Sequence, residues 1–392
     1  TMTAADVRVD VVIIGGGIAG LWLLDTLQDA GYSALVLNKG ALGQGQSIAA
    51  QGIIHGGTKY FGESAVPDLA PMPERWRASL TGQKGPDLSA ATALADAMLM
   101  WVPPQPAGAI LTGFAKGMMR RRMRKRAAGD RPSVLPQDSS GDLLDVDEAV
   151  IDVPSVLTAL RNLHSERVRA LPAGDAPRLA EHDGGMEITA GPAKIYAQRL
   201  ILAAGAGNEK LLAAAGMKEI ACQRRPLRQI IIRGMAQPIY LHCMGLNPKP
   251  LATVTSHPDG AGGYYWYVGG LLAEQGVAQT PEQLIATAKG ELSQLLPGAD
   301  FSKAAWSTFH VDRAEPTGHG GLRPSSAIAR RKGAVIVGWP TKLALAPVLG
   351  DKILAMLRAE ALHPGADEIG GLAALPAPGI APPPWREARQ WS

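Results

Sequence analysis

Residues 10 to 39 read DVVIIGGGIAGLWLLDTLQDAGYSALVLNK, and this stretch decides the fold. Its pattern predicts a short buried strand, a glycine turn, a helix that ends near Gly31 and a second strand. The glycines have the spacing G-x-G-x-x-G between strand and helix, where they let backbone N–H groups approach a pyrophosphate. The alternative is a glycine turn that serves helix–strand packing alone. The predicted dinucleotide contacts are Gly15, Gly17, Ile18, Ala19 and Gly20.

The end of the second predicted strand departs from the usual dinucleotide pattern. An acidic residue there normally binds the adenosine ribose, but this chain has Asn38, followed by Lys39. An amide can still exchange hydrogen bonds with ribose hydroxyls. We therefore keep Asn38 and Lys39 as predicted cofactor contacts.

Composition is typical of a globular protein, and we expect no export signal. The chain has 392 residues, of which 46% are hydrophobic and 19% charged, enough for two or three packed units. Its two cysteines, Cys222 and Cys243, lack zinc-like spacing, so we predict no metal site. Two cysteines cannot form a disulfide framework, which favours a reducing compartment. No signal-peptide pattern and no long apolar stretch is evident, so we expect a cytoplasmic protein.

Positive charge is concentrated in one segment. Residues 115–131 contain eight Lys or Arg and one Asp, which more than accounts for the whole-chain net charge of +4. Such a run, with no interleaved aromatic residues, is not typical of nucleic-acid binding, and we predict no nucleic-acid partner. Residues 116–126 could instead rest on an anionic membrane surface, at the inner face of the membrane; a solvated basic face is the alternative.

Two later segments add a resemblance to a known family. The segment RLILAAGAGNEKLL (199–212) and the closing segment with GLRP (321–324), WPTKLALAP (339–347) and Gly350-Asp351 resemble motifs of the D-amino-acid oxidase and glycerol-3-phosphate dehydrogenase superfamily. Together with the first glycine turn they occur in that superfamily's order. The resemblance implies FAD as the cofactor, with further contacts from Ala204, Gly205, Gly338, Lys342 and Leu343.

The resemblance also implies an architecture. We expect an α/β protein with a discontinuous Rossmann-like FAD-binding domain and an α+β substrate domain built on a mixed, largely antiparallel sheet. The predicted FAD-binding domain comprises residues 1–65, 141–220 and 320–362, and the substrate domain residues 221–319. Residues 66–140 form an insertion, with helical patches at 89–101 and 118–126. Residues 363–392 form a Pro-rich tail, extended along the surface.

A histidine lies on a flexible loop after the first domain segment. The sequence IIHGGTKY (53–60) is similar to the HGG-[KR]-Y segment of glycerol-3-phosphate dehydrogenases, which runs beside the flavin ring. The resemblance implies that His55 contacts flavin or substrate, that Ser47, Gln51 and Gly52 hold the cofactor, and that Lys59 anchors an anion. In the related dimethylglycine dehydrogenases a histidine in such a loop is bonded covalently to the flavin. A loop histidine that only hydrogen-bonds backbone is the plainer alternative.

Other candidate site residues come from the closing segment and from one strand. Lys342 resembles the flavin-contacting lysine of monomeric sarcosine oxidases, and Arg323 resembles an arginine that holds a substrate carboxylate or phosphate. A solvated lysine and a structural ion pair are the respective alternatives. Alternation in YYWYVGG places Tyr265 and Tyr267 on one face of a strand, either as substrate wall or as core.

The resemblance implies an FAD-dependent oxidoreductase, an oxidase or a dehydrogenase. It would move a hydride from a small anionic substrate, at a carbon with a hydroxyl or an amine, to flavin N5. His55, Lys342 and Arg323 are the predicted catalytic residues, and O2 or a quinone the predicted electron acceptor. An NAD(P)H-dependent flavoprotein reductase or hydroxylase is an alternative, although no second glycine fingerprint is found. A non-catalytic FAD-binding subunit is another.

Overall fold

The structure, a computed structural model, describes residues 6–57, 67–104, 123–245, 249–318, 324–388 and 390–392. The strands of these ranges are β1 (Val7–Ile14), β2 (Ala34–Lys39), β3 (Ala93–Ala95), β4 (Met98–Val102), β5 (Met123–Lys125), β6 (Asp142–Val146), β7 (Val150–Ile151), β8 (Val168–Leu171), β9 (Arg178–His182), β10 (Gly185–Ala190), β11 (Ala193–Leu202), β12 (Cys222–Met235), β13 (Leu241–Met244), β14 (Pro250–Pro258), β15 (Tyr264–Gly269), β16 (Ala305–Pro316), β17 (Ile328–Lys332) and β18 (Val335–Trp339). The helices are α1 (Ile18–Asp29), α2 (Met72–Leu80), α3 (Val153–Leu163), α4 (Asn208–Ala214), α5 (Leu271–Gln275), α6 (Pro281–Leu295), α7 (Ala346–Ala359) and α8 (Pro384–Glu387).

The first sheet has the order β17-β18-β11-β1-β2-β8, with β10 beside β11 and β9 beside β10. The pairs β18/β11, β11/β1, β1/β2 and β2/β8 are parallel. Helices α1, α3 and α7 cover one face, where an extensive apolar core includes Trp22, Leu157 and Leu349. This is the predicted Rossmann-like βαβ architecture, and it brings the carboxyl ends of β1, β2, β11 and β18 to one edge.

The second sheet has the order β16-β12-β15-β14-β13-β4-β6-β5 and is antiparallel except for the β13/β4 pair. Helix α6 begins with a capping box at Thr280, and it packs Leu284 and Leu292 onto one face with Trp266. The prediction of a mixed, largely antiparallel second sheet is confirmed, and so is the α/β fold class.

The helical patch predicted at residues 89–101 is wrong. Residues 93–95 and 98–102 are strands, and so are residues 123–125 of the second predicted patch. Met98 and Met100 pack with Met123 in one apolar cluster, whereas Trp101 packs on the opposite face of the sheet. This alternation has the period of a strand, and pairing of β4 with β13 and β6 overrides the helical preference of Met and Leu. The predicted domain boundaries stay a prediction.

The expectation of a surface tail is also wrong in part. Leu372 and Leu375 lie in the core on the second face of the first sheet, and Trp385 is buried against the second sheet. Residues 380 and 42 form a parallel bridge. The Pro-rich composition suppresses regular secondary structure but does not prevent burial of single large apolar side chains. Residues 363–388 are therefore an integral part of the packing of both sheets.

Candidate active site

Three separated glycine-containing segments meet at the carboxyl edge of the first sheet. A Cβ atom on Gly15, whose φ is +128°, would lie 2.4 Å from the Ala203 oxygen. One on Gly20 would lie 1.8 Å from the Gly15 oxygen, so helix α1 can approach the turn only without side chains there. The turn after β1 thus touches the turn after β11, as the resemblance predicts for a shared cofactor site.

Asn38 and Ser47 fix the first glycine turn. The Gly16 N–H donates to the Asn38 Oδ1 (2.8 Å), and the Asn38 amide donates to the Ala41 oxygen (2.9 Å). Ser47 Oγ accepts from the Ile18 N–H at 3.0 Å, at the start of α1. Asn38 and Ser47 therefore lie beside the first glycine turn, at which cofactor contacts are predicted. Their contacts to ribose and pyrophosphate stay predictions, as does that of Lys39, which is exposed at the end of β2.

A residue that sequence reasoning missed joins the other two turns. The Asn208 side chain is fully buried; its Oδ1 accepts from the Ala204 N–H (2.8 Å) and its amide donates to the Gly338 oxygen (3.2 Å). Gly205, which follows Ala204 in this turn, has φ +55°. Asn208 thus holds the turn after β11 to the end of β18. Its place in GAGN, directly after the glycine turn, was the available signal.

Backbone pairing holds the loop with His55. The Ile151 N–H donates to the Gly52 oxygen (2.9 Å) and the Ile54 N–H to the Ala149 oxygen (2.8 Å). Gly52, with φ +75°, has no room for a Cβ, which would lie 2.1 Å from the Ile151 oxygen. This pairing places His55 beside Glu148.

The side chain of Gln51 crosses from this loop to the second sheet. Its amide donates to the backbone oxygens of Thr253 (2.9 Å) and Tyr267 (2.8 Å). Gln51 therefore joins its loop to the second sheet, and its predicted cofactor contact stays a prediction.

His55 belongs to a buried group of two histidines and one carboxylate. His55 Nδ1 lies 3.0 Å from Glu148 Oε2, and His242 Nε2 lies 3.2 Å from the same oxygen. The Gly56 N–H donates to Glu148 Oε1 (3.2 Å), and His242 Nδ1 lies 2.9 Å from Thr253 Oγ1. The side chain of His55 is 17% exposed, whereas those of Glu148 and His242 are 0% exposed. His55 is thus the member of this group that a small molecule can reach.

The ionised form of Glu148 is strongly favoured. Burial by itself raises the pKa of this carboxyl, but the attraction of His55 and hydrogen bonds from both histidines outweigh burial and hold the pKa well below its usual range. Glu148 is a buried anion whose partners include both imidazoles and the Gly56 N–H.

The face of the second sheet that carries His242 is unusually polar. Register places Thr253, Thr255 and His257 on β14 beside Gly269, Tyr267 and Tyr265 on β15. The predicted alternation of Tyr265 and Tyr267 against Trp266 is confirmed, since Tyr267 and Trp266 belong to cores on opposite faces.

Tyr267 and Tyr265 occupy different surroundings on this face. Tyr267 is fully buried, and its hydroxyl donates to Gln229 and contacts the Ala49 oxygen. Tyr265 is half-buried and stacks on Trp385, with ring centroids 6.3 Å apart. Tyr267 therefore joins the second sheet to the loop that contains Ala49. The substrate contacts of both tyrosines stay predictions.

Lys342 follows a strained residue at the end of β18. Thr341 has φ +60°, a conformation that is uncommon for a β-branched residue, and its hydroxyl donates to the Ser326 oxygen (3.2 Å). Lys342 is half-buried and precedes a short 3-10 turn that begins at Leu343. Gly338 packs under helix α7, where a Cβ would lie 2.9 Å from Leu349. The predicted residues Gly338, Lys342 and Leu343 therefore lie at the same carboxyl edge of the sheet as the glycine turns.

Two predicted anion anchors, Lys59 and Arg323, lie outside the described residues, as does most of the basic segment 116–126. In the described ranges no group of three or more His, Cys, Asp or Glu could hold a metal ion. Cys243 is a buried free thiol, and burial raises its pKa to about 12. Within the same ranges, the helices are all too short or too polar to cross a bilayer.

Comparison with known proteins agrees with this geometry. A sequence model of the FAD dependent oxidoreductase family (DAO) matches residues 10–339. The probable FAD-dependent oxidoreductase PA4991 of Pseudomonas aeruginosa is 40% identical over 386 residues, covering 97% of this chain and 98% of that protein. Its crystal structure superposes with a TM-score of 0.84, over 98% of this chain and 99% of that one.

More distant solved structures share the fold. L-amino acid deaminase from Proteus vulgaris is 14% identical with a TM-score of 0.68, over 94% of each chain. The L-α-glycerophosphate oxidase of Mycoplasma pneumoniae, with FAD bound, is 13% identical with a TM-score of 0.67, over 90% of this chain and 95% of that one.

Proposed function

Because this chain belongs to the DAO family of FAD-dependent oxidoreductases, we propose that it oxidises a small anionic substrate at a carbon that carries a hydroxyl or an amine. FAD is the cofactor, and when bound it accepts the hydride from that carbon. The observation that carries the proposal is the 3.0 Å contact between His55 and the buried Glu148, on the loop that follows the cofactor turn. A histidine oriented by a carboxylate is a suitable base for a substrate proton.

The cofactor site fits an FAD held mainly by backbone. Gly15 and Gly20 leave no space for side chains, and Ser47 borders the turn, 2.8 Å from where a Gly17 Cβ would lie. Such a turn lets the start of helix α1 approach a pyrophosphate. Gly205 and Leu343 border the same edge and would contact the remainder of the cofactor.

His55 acts as a base and not as a covalent anchor in this proposal. Its Nδ1 is engaged with Glu148, and in this proposal Nε2 is the atom that takes the substrate proton. A covalent link through Nε2 would remove the base. We therefore expect FAD that is released when the protein is denatured.

Cations complete the proposed site. Lys342 would stabilise negative charge on the reduced cofactor, because it lies on the turn after β18 at the cofactor edge. Arg323 and Lys59 would bind the carboxylate or phosphate of the substrate. O2 or a quinone would take the electrons, and contact of residues 116–126 with the inner face of the membrane would suit a quinone.

The test is an absorbance spectrum of the purified protein, repeated on supernatant and pellet after acid precipitation. Anaerobic addition of hydroxy acids, amino acids and glycerol 3-phosphate follows. We expect a yellow supernatant and bleaching by one member of the panel. Bleaching by NADPH alone would support a reductase or hydroxylase, and FAD that no small metabolite bleaches would indicate a non-catalytic subunit. Either result overturns the proposal.

A further inference from the structure

The hydrogen bonds among His55, Glu148 and His242 determine which ring nitrogens carry protons. An ionised carboxylate only accepts, so the nitrogens that face Glu148 Oε2 must be N–H donors. His55 then carries its proton on Nδ1 and has its lone pair on Nε2. His242 carries its proton on Nε2, so its Nδ1 accepts from the hydroxyl of Thr253, 2.9 Å away.

Among the described residues, two ionisable neighbours of this group, Asp147 and Tyr267, bind other partners. Asp147, the preceding residue, turns outward to Arg77, with 2.6 Å between its Oδ1 and the guanidinium. Tyr267, on the adjoining strand, has a pKa that burial raises well above its usual value, so it stays neutral. Glu148 therefore carries the negative charge that faces His55 and His242.

A buried anion beside His55 stabilises a proton on that histidine. The attraction between a carboxylate and an imidazolium is strong where water is excluded, and Glu148 and His242 are both fully buried. When His55 takes a proton on Nε2, the resulting positive charge faces Glu148 directly. Removal of the carboxylate would take away this counter-charge and the hydrogen bond to His55 Nδ1.

We propose that Glu148 and His242 are positioning residues that make His55 a base, and that the substrate is a hydroxyl-bearing anion and not an amine. This inference rests on the function proposed above. An alcohol is too weak an acid to lose its proton to water near neutral pH, so its oxidation needs a base at the oxygen, whereas an ammonium can lose its proton to water before the oxidation.

The reaction balances as a two-electron oxidation. The substrate O–H bond breaks and its proton goes to His55 Nε2, while the C–H bond breaks and its hydride goes to FAD. The oxygen electron pair forms the C=O bond of the product. Substrate carbon is oxidised and FAD is reduced, to be reoxidised by O2 or a quinone.

The first test needs no substrate. Nitrogen-15 NMR of ring-labelled histidine distinguishes Nδ1–H from Nε2–H forms, with His55→Gln and His242→Gln used for assignment. At pH 8 we expect the Nδ1–H form for His55 and the Nε2–H form for His242. The opposite form at either residue overturns the proposal, whether or not a substrate is known.

The second test is the pH profile of anaerobic flavin bleaching, with a hydroxy acid and the amino acid of the same carbon skeleton. We expect Glu148→Gln to slow bleaching by the hydroxy acid by about 100-fold, because His55 loses the carboxylate that orients it and balances its charge, and His242→Gln by about 10-fold. The amino acid should bleach no faster than the hydroxy acid in the wild type. Glu360→Gln, which removes a partly buried carboxylate paired with Arg199 and Arg331, is the matched control and should keep the wild-type profile.

The outcomes separate the two proposals. If no panel member bleaches the flavin, the proposed function fails, while the NMR result still decides the arrangement of protons. If the hydroxy acid bleaches Glu148→Gln and Glu360→Gln equally fast, the positioning role is wrong and the proposed function stands. Faster bleaching by the amino acid overturns the substrate class. Should Glu148→Gln fail to retain FAD, His242→Gln tests the same role.

Discussion

The carboxylate of Glu148 lies 3.2 Å from the ring of His242, although 94 positions separate the two residues in the chain. Glu148 follows strand β6, whereas His242 lies on β13 two strands away in the same sheet. His55 reaches this pair from the loop that follows the cofactor turn. Through His55, this group links the loop that follows the glycine turn to the polar face of the second sheet.

Loss of this carboxylate should destabilise the protein in a pH-dependent way. Because the folded-state pKa of Glu148 is depressed, its contribution is complete above the unfolded pKa of about 4.5 and is lost as the pH falls through the folded value. Removing one partner of a buried pair costs about 3 kcal/mol. We expect Glu148→Gln to lower the thermal midpoint at pH 7 and the difference from wild type to shrink below pH 4.5. A difference that is constant down to pH 3 would contradict this.

His257 should make the protein sensitive to mild acid. Burial lowers the pKa of this imidazole to about 3, so the folded state resists its protonation. Its stabilising contribution is present above the unfolded pKa of about 6.5 and is lost below it, by about 2 kcal/mol at pH 5. His257→Phe keeps the stacking on Trp385 and should flatten the change in thermal midpoint between pH 7.5 and pH 5. His310→Gln, at a half-exposed histidine, is the control, and its thermal midpoint should change between these two pH values as much as that of the wild type.

The glycine turn should not tolerate a single methyl group. Gly20→Ala places a Cβ 1.8 Å from a backbone oxygen, so helix α1 must shift away from the cofactor edge. We expect loss of FAD from the purified protein, measured as the ratio of flavin to protein absorbance. Gly290→Ala in helix α6, where a Cβ meets nothing within 4 Å, should keep full FAD content. Normal FAD content in Gly20→Ala would refute the packing argument.

Asn208 should matter for FAD binding although it is buried. Asn208→Ala leaves the Ala204 N–H and the Gly338 oxygen without this partner, at a cost of about 1–3 kcal/mol. We expect the FAD dissociation constant, measured by flavin fluorescence, to rise by roughly 10-fold as the two turns loosen. Asn162→Ala, at an exposed asparagine, should bind FAD as the wild type does. Equal affinities for the two variants would contradict this role.

Trp385 should stabilise the C-terminal part of the packing. Its ring stacks on His257 with 3.9 Å between centroids and is 6% exposed. Trp385→Ala leaves a cavity over the polar face, and such truncations cost about 3–5 kcal/mol. We expect a lower thermal midpoint with Trp385→Ala and a smaller loss with Trp385→Phe. A midpoint unchanged in both variants would show that residues 384–388 add nothing to stability.

Local patterns in the sequence were sufficient to predict the glycine turn at the edge of the first sheet. The turn at Gly15–Gly20 depends on neighbouring residues and on the hand of a βαβ unit, so its place at the sheet edge follows from the sequence. Alternating stretches near residues 227–233, 251–256 and 264–272 also predict strands of the second sheet, although the last strand ends at Gly269 in the structure.

The hydrogen-bonded group at His55 was not predictable in the same way. Glu148 and His242 carry no local signal, and their meeting depends on pairing of residues 52–54 with 149–151 and on register within the second sheet. Met98 and Met100 misled the prediction for a related reason. Their strand identity comes from distant partners, which outweigh helix propensity.

The rate of anaerobic flavin reduction in His55→Gln tests the account most directly. With the panel member that bleaches the wild type, the variant should retain its FAD spectrum but reduce the flavin at least about 100-fold more slowly. Reduction at the wild-type rate by a variant with full FAD content would contradict the assignment of His55 as the base.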